Sequence, residues 1–78
     1  MSLGERLRAV RHERDLTLAA VSSRAEISVG YLNDIEHDRT VPTLGRLNQI
    51  ATALDMTVRE VLRGVAPYDV DPQFRNGR

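Results

Sequence analysis

The sequence predicts an all-α domain of five short helices. Ser or Thr stands just ahead of an apolar pattern at Ser2, Thr17, Ser28, Thr43 and Thr57, and a hydroxyl there satisfies an orphan N–H of a first helical turn. Behind each cap the apolar residues recur at three- and four-residue steps, which places them on one helical face. The third observation is the lack of cysteine among 78 residues. Disulfides and thiolate metal sites are excluded, so the one modest core must come from packed helices or from a second copy.

Each element follows from its caps and spacing. Ser2 and Glu5 form a capping box, and Leu3, Leu7 and Val10 share the face of a first helix from Leu3 to Arg14. Arg6, Arg8 and Arg14 then make a solvated face. Thr17 caps a second helix carrying Leu18, Val21 and Ala25. Ala25, Glu26 and Ile27 leave room only for a tight turn before Ser28 caps the third helix. Ile27 and Leu32 have the spacing of a hydrophobic staple, Leu32 and Ile35 face inward, and the helix ends near His37.

A polar loop from Asp38 leads to Pro42. Thr43 caps a fourth helix with Leu44, Leu47, Ile50, Ala51 and Leu54 on its buried face. Thr57 with Glu60, and Met56 with Val61, repeat the box and the staple at a fifth helix. That helix carries Val58, Val61, Leu62 and Val65, with Gly64 as its C-cap. Residues 66–78 hold two prolines, a glycine and few core formers. The expected organisation is a domain over residues 1–65 and a tail or linker over 66–78.

The composition excludes more than it selects. Eleven arginines, with no lysine, balance eleven acids, so the chain lacks the charge excess of a strongly basic nucleic-acid binder. The N-terminus has no apolar run, and no leader peptide or membrane span is expected. His12 and His37 stand far apart without ligand spacing, so no metal site is expected. A glycine-rich phosphate loop, a cysteine nucleophile and a supported Ser-His-Asp arrangement are all missing, which argues against an enzyme. Neither a cofactor nor a small-molecule ligand is indicated.

Two short helices joined by three residues have the spacing of a helix-turn-helix. Around them, in register, stand Leu7-Arg8-x-x-Arg11, Leu16-Thr17, Leu32, Ile35-Glu36 and Pro42-Thr43-Leu44. Taken together these motifs resemble the lambda-repressor and Cro-like (XRE-type) family of bacterial and phage DNA-binding domains, over roughly residues 3–65.

The resemblance implies a compact five-helix lambda-repressor-like domain with its helix-turn-helix at helices 2 and 3. It implies a sequence-specific transcriptional regulator, more often a repressor, in a bacterial cytoplasm at the nucleoid. Its partners would be double-stranded DNA and a second copy, bound as a homodimer on a palindromic operator. Helix 3 would enter the major groove. Val29, Gly30 and Asn33 match base-reading positions, and Asp34 is a marginal fourth. Asn33 suits adenine and Asp34 suits a cytosine amino group, although Asp34 would also repel wrong sites. Thr17, Ser28, Tyr31, Arg39, Thr40 and Thr43 match phosphate-facing positions. Arg11 and Glu36 match a structural ion pair, and Val58, Val61, Leu62, Val65 and Tyr68 would supply the dimer contact.

The chain departs from the family at several places. Leu18 stands where a phosphate-binding Gln is usual, Glu26 replaces the turn glycine, and Ala20 lacks the acid of helix 2. Asp38 stands where glycine is common; it tolerates a positive φ, which leaves its charge incidental. These departures lower the affinity expected of a single copy. An alternative class stays open: a helix-turn-helix protein-interaction module or antitoxin-type adaptor that grips its partner with residues 66–78. One puzzle remains in the third helix, SVGYLNDIEHDR, where Asp34, Glu36 and Asp38 face a single Arg39.

Overall fold

The computed structural model describes residues 1–65, and these form five helices in the order expected: α1 (Leu3–Glu13), α2 (Leu18–Ala25), α3 (Val29–Glu36), α4 (Leu44–Ala53) and α5 (Val58–Val61). Every predicted N-cap is present, since Ser2, Thr17, Ser28, Thr43 and Thr57 each accept the N–H three residues on. Both capping boxes close, Ser2 with Glu5 and Thr57 with Glu60. The fifth helix is shorter than its apolar spacing suggested, and Gly64 turns the chain with φ 78°. Tyr68 and the expected tail lie outside the described residues.

The helices share one core. Leu7, Val10, Val21, Leu32, Ile35, Leu47, Ile50, Leu54 and Val61 are its fully buried side chains. Ile27 and Met56, the outer halves of the two staples, are partly buried and pack against it, as does Leu18. The expectation for Leu44 was wrong: it is 54% exposed. As the first residue of α4 it sits ahead of the turn that Leu47 commits to the core.

Four helices end alike, and none uses glycine. Asp15, Glu26, Asp38 and Asp55 all have φ between 54° and 60°. The residue after each donates its N–H back across the last turn: Leu16 to the Arg11 carbonyl, Ile27 to Ser22, Arg39 to Asp34 and Met56 to Ala51. This six-to-one bond is the Schellman closure, which normally selects glycine at the left-handed position. Three of the four are Asp, one of the residues least penalised there. Glu26 gains no such relief, yet it sets the turn between α2 and α3.

Polar groups supply the remaining cross-links. Arg6 is not part of a solvated face. It donates from Nε to the Val61 carbonyl and from Nη2 to the Glu60 carbonyl, at 3.0 and 2.9 Å, capping the end of α5. Arg8 and Arg14 are exposed, as expected. Glu60 titrates below its ordinary value of 4.5, first because its carboxylate accepts the Thr57 N–H and then the Thr57 hydroxyl. Its cap on α5 is therefore complete above that value and is lost as pH falls through the lowered one.

The left-handed positions predict opposite outcomes for one substitution type. Glu26→Gly removes a strained side chain and should stabilise the domain by ~0.5–1 kcal/mol. Asp38→Gly relieves similar strain but strands the groups its carboxylate bonds, described below, for a net loss of ~1 kcal/mol. Urea unfolding of both variants reads the two signs.

Candidate nucleic-acid interface

The third helix is fixed from behind. Glu36 closes on Arg11 through two bonds, Nε to Oε2 at 2.8 Å and Nη2 to Oε1 at 3.1 Å. The Arg11 and Glu36 side chains are 10% and 2% exposed, so the pair is buried. Arg11 also donates Nη1 to the Leu16 carbonyl at 2.9 Å. One guanidinium thus ties together α1, the segment leading into α2, and the end of α3. The pair read from the sequence is present, and a fork of two parallel bonds is the geometry arginine supplies and lysine does not.

A second lock was missed. Asp38 accepts the Ser2 hydroxyl at 2.6 Å and the Gly4 N–H at 3.0 Å, so its carboxylate caps the start of α1. Its charge is not incidental, because an acid at a helix N-terminus meets free N–H groups and the positive end of the dipole. Gly4 lets the two helices approach. A Cβ built there would lie 2.5 Å from the Glu36 carbonyl oxygen and 2.6 Å from that of Ile35. A glycine in the first turn of a helix costs stability relative to alanine, and that cost was the available sequence signal.

With its back held, α3 leaves its outer face open. Val29 is 45% exposed, and a Cβ at Gly30 would meet nothing within 4 Å. Asn33 and Asp34 are half-buried along the same helix, and the His37 Nδ1–H donates to the Asn33 carbonyl at 2.9 Å. Ser28, Glu26, Ile27, Tyr31 and Arg46 line one groove, which brings the start of α3 beside the first turn of α4. Tyr31 also packs against the core, so the two roles expected of it, cover and contact, are compatible.

Arg46 had escaped sequence reading. A cation in the first turn of a helix works against the dipole, which is the signal that marks it. Its Nη1 donates to Gln49 Oε1 at 3.0 Å, and Gln49 Nε2 donates to the Ala25 carbonyl at 3.2 Å. The cation is thereby tied to the end of α2, next to the turn.

The hydroxyls of Thr17, Ser28 and Thr43 accept the N–H groups of Ala20, Tyr31 and Arg46 at 3.0, 3.0 and 3.2 Å. Each therefore keeps its own O–H free to donate, beside the unbonded first N–H groups of a helix, the arrangement that receives a phosphate. Arg39 and Thr40 lie in the loop after α3, and Arg39 pairs with Asp34 at 3.1 Å.

The dimer expectation needs correction at Val61. Val61 is 0% exposed and belongs to the core, so it cannot meet a second copy. Val58, Leu62 and Val65 are half-covered by the same core. Val58 and Leu62 also line an open groove with Arg59 and Arg63. Exposed apolar side chains occur instead at Val41 and Leu44, 65% and 54% exposed. Among the described residues there is no metal-binding cluster, and no helix is long and apolar enough to cross a membrane.

Comparison with known proteins agrees with this geometry. A family model described as a helix-turn-helix domain matches residues 2–63. The chain belongs to the helix-turn-helix family, in its lambda-repressor-like form. Among relatives, the HTH-type transcriptional regulator DdrOP3 of Deinococcus deserti is 46% identical over 68 residues, covering 87% of this chain and 53% of that protein. The immunity repressor protein of Bacillus phage phi105 is 40% identical over 62 residues, covering 80% of this chain and 43% of that protein. The chain thus spans about half the length of these relatives. Among solved structures, the DNA-binding domain of the P22 c2 repressor superposes with a TM-score of 0.78 at 26% identity, covering 82% of this chain and 84% of that one.

Burial separates the two ion pairs. Removing Arg11 or Glu36 alone should cost ~3–5 kcal/mol, because the other charge is left buried. Removing Arg39 or Asp34 should cost under ~1 kcal/mol, since that pair is screened by solvent. A double-mutant cycle by denaturant titration should show strong coupling for the first pair. Additive losses at Arg11 and Glu36 would contradict the lock.

Proposed function

We propose that the chain is the DNA-binding domain of a sequence-specific transcriptional regulator acting as a repressor. The observation that carries this reading is the division of α3. Its inner side is locked by Glu36 and Asp38, while exposed Val29 and Gly30, with half-buried Asn33, lie beside three capped helix starts. A helix held from behind with a free face can lie in the major groove. The N–H groups and hydroxyls at Thr17, Ser28 and Thr43, with Tyr31, Arg39, Thr40 and Arg46, would then bond the backbone on either side. Asn33 would read adenine through N6 and N7, Val29 would pack on a thymine methyl, and Gly30 would allow close approach.

Affinity in this scheme does not require a basic helix. Phosphates are met by neutral donors and a few cations, which fits a chain of zero net charge. A single copy would bind weakly, so two copies on a palindrome, with recognition helices about one duplex turn apart, complete the operator complex. Repression follows from occupying promoter DNA in the cytoplasm. The relatives, a transcriptional regulator and an immunity repressor, support the same reading.

A protein-interaction role is the second reading, favoured by the neutral charge and by exposed Val41 and Leu44. Salt separates the two. DNA affinity falls linearly in log salt as counterions are released, and an apolar interface lacks that slope.

Selection of bound sites from random duplex DNA should return a two-fold symmetric consensus. On that operator Asn33→Ala should cost ~1–3 kcal/mol and relax preference at one position. Arg39→Ala should weaken binding to the operator and flatten its salt slope. Equal weakening of every duplex by Asn33→Ala would remove its base-reading role, and a selection that enriches no sequence would remove the function.

A further inference from the structure

Asp34 is placed where two fields oppose it. It lies in the last turn of α3, at the negative end of the helix dipole, and on the face offered to a polyanion. It contributes nothing to the buried lock. Its partner is Arg39, Nη1 to Oδ1 at 3.1 Å, with side chains 59% and 49% exposed for Arg39 and Asp34. The backbone sets up this contact. Asp38, at φ 58°, reverses the chain, and the Arg39 N–H donates to the Asp34 carbonyl at 2.9 Å. Arg39 is thereby folded back over Asp34 before any side-chain bond forms, so the pair is made with little ordering of the chain.

Resting on the DNA-binding reading, we infer that Asp34 is a specificity-determining residue acting through Arg39, by an exchange of partners. In the free protein the carboxylate holds the guanidinium and neutralises it. A phosphate that binds Arg39 competes with Asp34 for it and brings its own negative charge against the carboxylate. On an unrelated duplex that exchange leaves a bare carboxylate against the DNA. On the right sequence a base-edge donor, the cytosine N4 amino group, takes the place of Arg39 at Asp34. Both charges are then re-paired at once, and Arg39 reaches the phosphate without stranding its former partner. The phosphate contact is in this way made conditional on the base, although a backbone contact alone carries no sequence information. The pair suits the task because it is exposed. A buried pair such as Arg11–Glu36 would cost too much to open, whereas an exposed one is marginal and open to competition.

The test uses the full chain with Asp34→Ala, Arg39→Ala and the double variant. Each is titrated against the selected operator and an unrelated duplex of equal length, over a range of salt. Asp34→Ala should tighten binding to the unrelated duplex about two- to fivefold, steepen its salt slope, and lower the ratio of operator to unrelated affinity by about tenfold. The preference for cytosine at one operator position should disappear. In the Arg39→Ala background the same substitution should relieve only the repulsion of the bare carboxylate, a clearly smaller gain on the unrelated duplex and with no steeper salt slope. Asp34→Asn, which keeps the shape, should behave as Asp34→Ala does on the unrelated duplex, and it serves if the alanine variant fails to fold. An unchanged affinity ratio overturns the exchange while leaving DNA binding intact. So does an effect of equal size without Arg39, which would mean plain charge repulsion. A wild-type chain that binds neither duplex overturns both the exchange and the function it rests on.

Discussion

Glu36 sits buried against Arg11, and the outer face of α3 takes its position from that contact. The guanidinium spans three parts of the chain, because its third bond goes to the Leu16 carbonyl ahead of α2. Gly4 and Asp38 complete the junction from the other end of α1. The start of α1 is capped by an acid that also reverses the chain after α3, so one residue closes one helix and opens another. A helix of eight residues is marginal on its own. This one is held in place by its neighbours.

The acidic content of residues 28–39 divides by role. Glu36 is buried and paired, Asp38 caps α1, and Asp34 engages Arg39. None of the three is a free charge facing outward. Arg46 completes the picture from the opposite sign: it stands in the first turn of α4, where the dipole disfavours a cation, beside the groove shared with Ser28 and Tyr31. Charges placed against their own helix dipoles are costly to local stability, and both lie on the side of the molecule assigned to DNA.

Caps and period carried most of the fold into the sequence. Hydroxyl caps and three- to four-residue spacing are local rules, so the five helix starts were legible, and so was the Arg11–Glu36 pair once the resemblance aligned the two helices. What escaped was non-local. Nothing in the spacing says that Asp38 reaches Ser2 and Gly4, thirty-six and thirty-four positions away. Arg6 read as a surface residue because its acceptors are carbonyls of another helix. Val61 and Leu44 exchanged their expected roles for a related reason. Periodicity gives a helix an apolar face, but the depth of each residue on that face depends on where its neighbours stop.

The central claim is that α3 is held by α1 and offers its other side to DNA. The most direct measurement is an amide NMR titration of the full chain with a duplex carrying the selected operator. The account predicts shifts at the starts of α2, α3 and α4, at Gly30, Asn33 and Arg39, and small ones at Gly4, Leu7 and Val10 behind the lock. Shifts concentrated on α1 and α5, with the start of α3 unmoved, would contradict it.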